Sequence, residues 1–164
     1  KNLDTESYYT RAWSAENFVV DGQIIDLGNR LIEVIHVPGH TPDALALIDR
    51  ENALLFTGDT YYDDNLWLFS PETDLDDYAE SIEKLAFLEQ DIEYIFGAHT
   101  SVRVEAGVLK KVKQSFFKLR SGDINPVDQI EGRLIYQIDG INFVTSRAIL
   151  NGVKIDTSKG ASGL

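Results

Sequence analysis

The chain has 164 residues, 43% of them hydrophobic and 10% aromatic, which suits one ordinary globular domain or part of one and leaves no room for two full-sized ones. Fifteen Lys and Arg against 27 Asp and Glu give a net charge of -12, which repels phosphate backbones and anionic membrane surfaces and argues against nucleic acid as a partner. There is no Cys, which excludes disulfides, thiolate nucleophiles and sulfur-liganded zinc, and no apolar run approaches the ~18 residues of a membrane-spanning helix.

Short runs of Val, Ile, Leu and Phe bounded by Gly, Pro, Asn or Asp predict strands through the first half of the chain. Phe18 to Val20, Ile24 to Leu27 and Leu31 to Val37 are the first, with Asp21-Gly22 and Gly28-Asn29 as turns at hairpin spacing. Ala44 to Ile48 and Ala53 to Phe56 continue the pattern. From Thr73 the period changes: Leu75, Tyr78, Ile82, Leu85 and Leu88 recur three or four apart, predicting an amphipathic helix over 73–88. Thr73 with Asp76 three residues on resembles a capping box. Glu93 to Ala98 predicts a strand and Val104 to Leu119 a second helix, whose Lys110, Lys111, Lys113, Lys118 and Arg120 read as a solvated face rather than a phosphate-binding patch. Arg133 to Ile138 and Ile141 to Ser146 flank Asp139-Gly140, the strongest hairpin signal in the chain. Residues 1–150 are expected to form the domain and 151–164 a flexible tail, in an α/β or α+β layered arrangement.

Three residues capable of metal chemistry share one setting. His40 follows the run Leu31 to Val37 in a turn stiffened by Pro38, Gly39 and Pro42; Asp59 follows Ala53 to Phe56 in Thr57-Gly58-Asp59-Thr60; His99 follows Glu93 to Ala98 after Gly97. Each stands just past the C-terminal end of a predicted strand, and strand ends in a layered fold converge on one edge. Two imidazoles and a carboxylate suit zinc, iron or manganese. Taken singly, His40 and His99 read more readily as loop histidines bonded to backbone and Asp59 as a turn or cap residue; the repetition of the setting is what favours a site. His36 falls inside a strand run and reads as a packed residue, or one that supports a ligand, rather than a ligand. Tyr61, Tyr62, Trp67 and Phe69 form an aromatic loop after Asp59 that either walls a substrate pocket or packs over the sheet.

Residues 31–60, LIEVIHVPGHTPDALALIDRENALLFTGDT, resemble the central part of a metallo-β-lactamase-fold hydrolase, in which P-G-H-T and G-D-T turns follow successive strands. Gly97-Ala98-His99 is similar to the family's later G-x-H element, and the resemblance extends over about Asn17 to Thr145. It implies the C-terminal portion of an αββα sandwich, with His40 as a ligand of a first metal, Asp59 as the catalytic carboxylate bridging two metals, and His99 as the closing ligand of the second. Thr41, Thr60 and His36 would support these ligands. Asp43 stands where many relatives carry Gly. The implied cofactors are two divalent ions, zinc first and iron or manganese as alternatives.

The family's earlier H-x-H-x-D-H motif has no match in residues 1–35, and the chain has three His in all. It also contains no Met and starts Lys1-Asn2-Leu3. Both features lead to the expectation that these residues are the C-terminal part of a larger domain whose N-terminal half is a required partner. The implied activity is water attack on an ester, thioester, lactone or amide carbonyl of a small-molecule substrate. The alternatives are an iron-containing redox enzyme of the same fold and a non-catalytic half-domain that binds a partner.

Overall fold

The computed structural model describes residues 14–122 and 124–152. A six-stranded sheet contains β1 (Ile24–Asp26), β2 (Leu31–His36), β3 (Leu45–Asp49), β4 (Leu54–Gly58), β6 (Tyr94–Gly97) and β7 (Val104–Glu105), in that spatial order. A four-stranded sheet contains β5 (Asn65–Trp67), β8 (Asp128–Ile130), β9 (Arg133–Ile138) and β10 (Ile141–Thr145), in the order β5-β10-β9-β8. Helices α1 (Leu75–Leu88), α2 (Leu109–Arg120) and α3 (Arg147–Leu150) complete the mixed α/β architecture.

Strand direction decides where the chemistry converges. β2 pairs antiparallel with β3, β3 antiparallel with β4, and β4 parallel with β6. β2, β4 and β6 therefore run the same way, and the segments carrying His40, Asp59 and His99 all leave the sheet at the same edge.

The core is continuous between the two sheets. Val34, Val37, Ala46, Ile48, Leu55 and Ile95 of the large sheet and its connections are fully buried, as are Tyr78, Ile82 and Leu85 of α1. Tyr78 meets Phe116 of α2 at a centroid distance of 4.8 Å, and Phe116 meets Phe143 of β10 at 5.8 Å. α2 thus bridges α1 and the second sheet through an edge-on and a tilted aromatic contact, each worth about 0.5–1.5 kcal/mol beyond the area it buries.

Several sequence expectations are corrected. Asp74, not Thr73, caps α1: its carboxylate accepts from the backbone N–H of Asp76 (2.9 Å) and Asp77 (3.2 Å), a contact worth about 0.5–2 kcal/mol. Thr73 instead donates to the His40 carbonyl at 3.2 Å. Phe18 to Val20 forms no strand, because the sheet's edge strand β1 begins at Ile24 and nothing among the described residues pairs outside it; Phe18 remains 80% exposed. α2 begins at Leu109 rather than Val104, because Val104 is drawn into a short ladder opposite Ile95. Strands β5 and β8 carry no alternation readable in advance and are defined by their neighbours β10 and β9. The basic residues of α2 are largely partnered by acids, Lys110 with Glu89, Lys113 with Glu83, Lys118 with Asp139 and Arg120 with Asp76. Asn151 and Gly152 close the last turn of α3, and residues 153–164 of the expected tail lie outside the described residues. Among the described residues, no helix is long and apolar enough to cross a membrane.

Candidate metal centre

His40, Asp59 and His99 line one cleft of about 500 Å³, together with Tyr62, Asp64, Trp67 and Thr100. Each reaches it by a different local device. His40 is carried by the turn after β2, where Gly39 adopts φ +125° and lies so close to α1 that a Cβ there would stand 2.3 Å from the Tyr78 backbone nitrogen. Only glycine tolerates both conditions. The turn is tied to α1 by the Asp74 N–H donating to the Gly39 carbonyl (2.9 Å) and the Ser81 hydroxyl donating to that of Pro38 (2.7 Å).

Asp59 is aimed by an irregularity. The pairing of β4 with β6 slips between Phe56 and Gly58, and the chain turns out of the sheet immediately afterwards. The buried Thr57 hydroxyl donates to the Tyr61 carbonyl at 2.6 Å, and the Tyr78 hydroxyl donates to the Thr60 carbonyl at 2.7 Å, so the turn is pinned from the sheet and from α1. His99 follows Gly97, whose missing Cβ would sit 2.5 Å from the Tyr62 Cβ. The loops after β4 and β6 are therefore in backbone contact.

The candidate ligand atoms are distinguishable. The Nδ1 of His40 lies 2.8 Å from the Trp67 carbonyl, an acceptor only, so Nδ1 carries the proton in this contact and Nε2 keeps its lone pair. β5 holds that carbonyl in place through its parallel pairing with β10. The Nε2 of His99 lies 3.0 Å from the Asp59 Oδ1, yet that oxygen is buried and has no aligned hydrogen-bond partner among the described residues. An orphaned buried carboxylate oxygen beside an imidazole nitrogen is the environment a cation would satisfy. The donor chemistry therefore fits a divalent metal, although no three His, Asp or Glu side chains among the described residues come close enough together to hold one ion unaided.

The aromatic loop divides. Tyr61 and Tyr62 are both buried in the core, and Tyr62 also lines the cleft together with Trp67. Phe69 lies edge-on to Trp67 at 5.1 Å, with the Arg133 guanidinium 3.8 Å over its ring. Burial pushes the Tyr62 phenol up to about 12, and its hydroxyl donates to the Asn65 carbonyl at 2.5 Å. Tyr62 is thus a protonated wall. His36 does not reach the cleft; its Nε2 pairs with the Pro42 carbonyl at 2.9 Å. Thr41 and Thr60 do not line it either: the Thr41 carbonyl accepts from Gly39 and Ala44 within the turn, and the Thr60 side chain is fully buried. Asp64 and Thr100 line the cleft without having been singled out in the sequence, which offers no local signal for either.

Comparison with known proteins identifies the family of the chain. Human acyl-coenzyme A thioesterase MBLAC2 is 32% identical over 114 residues, covering 62% of this chain and 41% of that protein. Hydroxyacylglutathione hydrolase GloC of Haemophilus influenzae is 33% identical over 92 residues, covering 54% and 43%. The chain thus spans about two-fifths of the length of the curated relatives it matches. A metallo-beta-lactamase family protein from Thermus thermophilus superposes with a TM-score of 0.54 at 19% identity, over 63% of this chain and 36% of that one, a likeness of fold. Residues 2–99 match the family model described as metallo-beta-lactamase superfamily, so the strand-end His, Asp and His belong to a chain that is a member of that superfamily.

Proposed function

We propose that this chain carries part of the active site of a metal-dependent hydrolase acting on thioesters. The observation that supports the reading most is the Asp59 Oδ1, buried without an aligned partner 3.0 Å from His99 Nε2, in a cleft where His40 also presents a nitrogen. Asp59, His40 and His99 would hold divalent ions, zinc by preference. The three are an incomplete ligand set, and the H-x-H-x-D-H element that the family uses would supply the remainder from outside this chain. The chemistry such ions supply when bound is Lewis acidity, which polarises a carbonyl and brings a water's pKa toward neutrality.

The chain's own residues contribute positioning. The Trp67 carbonyl sets the tautomer of His40, and the Tyr62 and Trp67 rings offer an apolar wall for an acyl group beside the ligands. The thioester class is favoured because the relatives include an acyl-coenzyme A thioesterase and a hydroxyacylglutathione hydrolase.

The test is metal analysis and thioester hydrolysis of the whole protein with and without a chelator, alongside Asp59→Ala. The expected result is bound zinc, chelator-sensitive cleavage, and loss of both activity and at least one metal in the variant. Full activity in Asp59→Ala would remove the assignment, and bound iron with a visible absorption would transfer the site to redox chemistry.

A further inference from the structure

Two acids outside the proposed ligand set are bonded to the residues that follow His99. Asp63 accepts from the Ser101 hydroxyl at 2.9 Å, and Asp64 accepts from the Thr100 hydroxyl at 3.2 Å, contacts 38 and 36 residues apart in sequence. The other Asp64 oxygen accepts from the Asn65 N–H at 2.7 Å, which fixes that side chain from both ends. Tyr62, the next residue back, places its ring edge-on to the His99 imidazole at a centroid distance of 5.0 Å. Three consecutive side chains of the loop after β4 thus grip three consecutive residues of the loop after β6.

The grip has something to hold. Thr100 adopts φ +66°, a left-handed conformation that costs a β-branched residue of order 1–3 kcal/mol and persists only where neighbouring contacts impose it. The His99 ring itself makes no hydrogen bond among the described residues; it has the Asp59 contact and the Tyr62 ring, and it is 61% exposed. Beyond these two contacts, its direction is set by the backbone at 99–101. We propose that Asp63 and Asp64 are positioning residues: by fixing Ser101 and Thr100 they hold the His99 imidazole beside Asp59. The geometric part stands on the contacts above, and its consequence for metal binding rests on the function proposed for the site.

The experiment uses the full chain, metal-free and isotope-labelled, with a double variant D63A/D64A and its conservative counterpart D63N/D64N, whose amide oxygens still accept from the two hydroxyls. Three imidazoles give a small set of ring signals, with His36 and His40 as internal references. In D63A/D64A the nuclear Overhauser contact between His99 and Tyr62 should be lost and the His99 ring signals should shift, while those of His36 and His40 stay in place. D63N/D64N should keep the contact. Zinc titration of the same samples should show affinity about 10–100-fold weaker in the alanine pair, as for other groups that orient ligands, and recovery in the asparagine pair. Should the alanine pair fail to fold, Ser101→Ala with Thr100→Val removes the same bonds from the other loop and should give the same loss. Retention of the His99–Tyr62 contact without the acids would overturn the proposal, as would an asparagine pair that behaves like the alanine pair, since charge and not a hydrogen-bond acceptor would then be responsible. If the alanine pair binds zinc as tightly as the unsubstituted chain while the ring contact responds as described, the positioning role stands and its consequence for metal binding falls.

Discussion

Replacing Gly39 by Ala should destabilise the protein by about 2–6 kcal/mol, and the structure separates two contributions to that cost. A left-handed backbone far from the range of L side chains costs about 1–3 kcal/mol, and Gly39 is at φ +125°. Overpacking costs about another 1–3 kcal/mol, and the added Cβ would lie 2.3, 2.4 and 2.6 Å from the Tyr78 N, Cα and Cβ, atoms of a helix that cannot swing aside as a flexible side chain would. Gly28 provides the control. It too has a positive φ, +97°, but a Cβ there meets nothing within 4 Å, so Gly28→Ala carries the backbone cost alone. Equilibrium urea unfolding followed by tryptophan fluorescence and circular dichroism should show both variants destabilised with unchanged denaturant slopes, Gly39→Ala by the larger amount. The difference between them measures the contact with α1. If Gly39→Ala costs no more than Gly28→Ala, the close packing of the His40 turn on α1 is not what the glycine is there for, and the reasoning fails.

Tyr78→Phe removes the hydroxyl that donates to the buried Thr60 carbonyl, and should cost about 1–3 kcal/mol in the same unfolding assay because the acceptor is left without a partner; a loss under about 0.5 kcal/mol would show that water replaces it. Asp49 responds to pH: burial pushes its carboxyl up, but bonds from Asn52 and Arg30 outweigh this and hold it below the usual carboxylate range. A lowered folded-state pKa means stability that is present above the unfolded value of about 3.9 and lost as pH falls through the folded one. Stability measured from about pH 6 down to about pH 2 should therefore fall more steeply in the unmodified protein than in Asp49→Asn, and parallel curves would refute the assignment. Gly97→Ala should disturb the site more than the fold, because its Cβ would press on Tyr62 and the Tyr61 carbonyl; the expected readout is displaced His99 ring signals, and an unchanged His99 spectrum would contradict it.

Much of the site was readable because its three principal residues obey local rules. A tight turn needs Pro and Gly, a strand needs its apolar run, and a polar residue just past each strand end announces itself without knowledge of the rest. The helix over 75–88 and the hairpin at Asp139-Gly140 were legible for the same reason, being set by periodicity and turn chemistry within a few residues. What tertiary structure decided depends on contacts between distant segments. Nothing in Tyr61-Tyr62 tells that both are buried while Tyr62 also lines the cleft, because the irregular exit from β4 makes that choice. Trp67 holds His40 through a backbone carbonyl, and its place follows from a three-residue strand that exists only because β10 pairs with it. Asp63 and Asp64 look like any solvated acids until the parallel pairing of β4 with β6 sets two loops side by side and gives them Ser101 and Thr100 to hold. Local sequence determined which residues could do chemistry, and the pairing of strands remote in sequence determined which of them meet and how they are aimed.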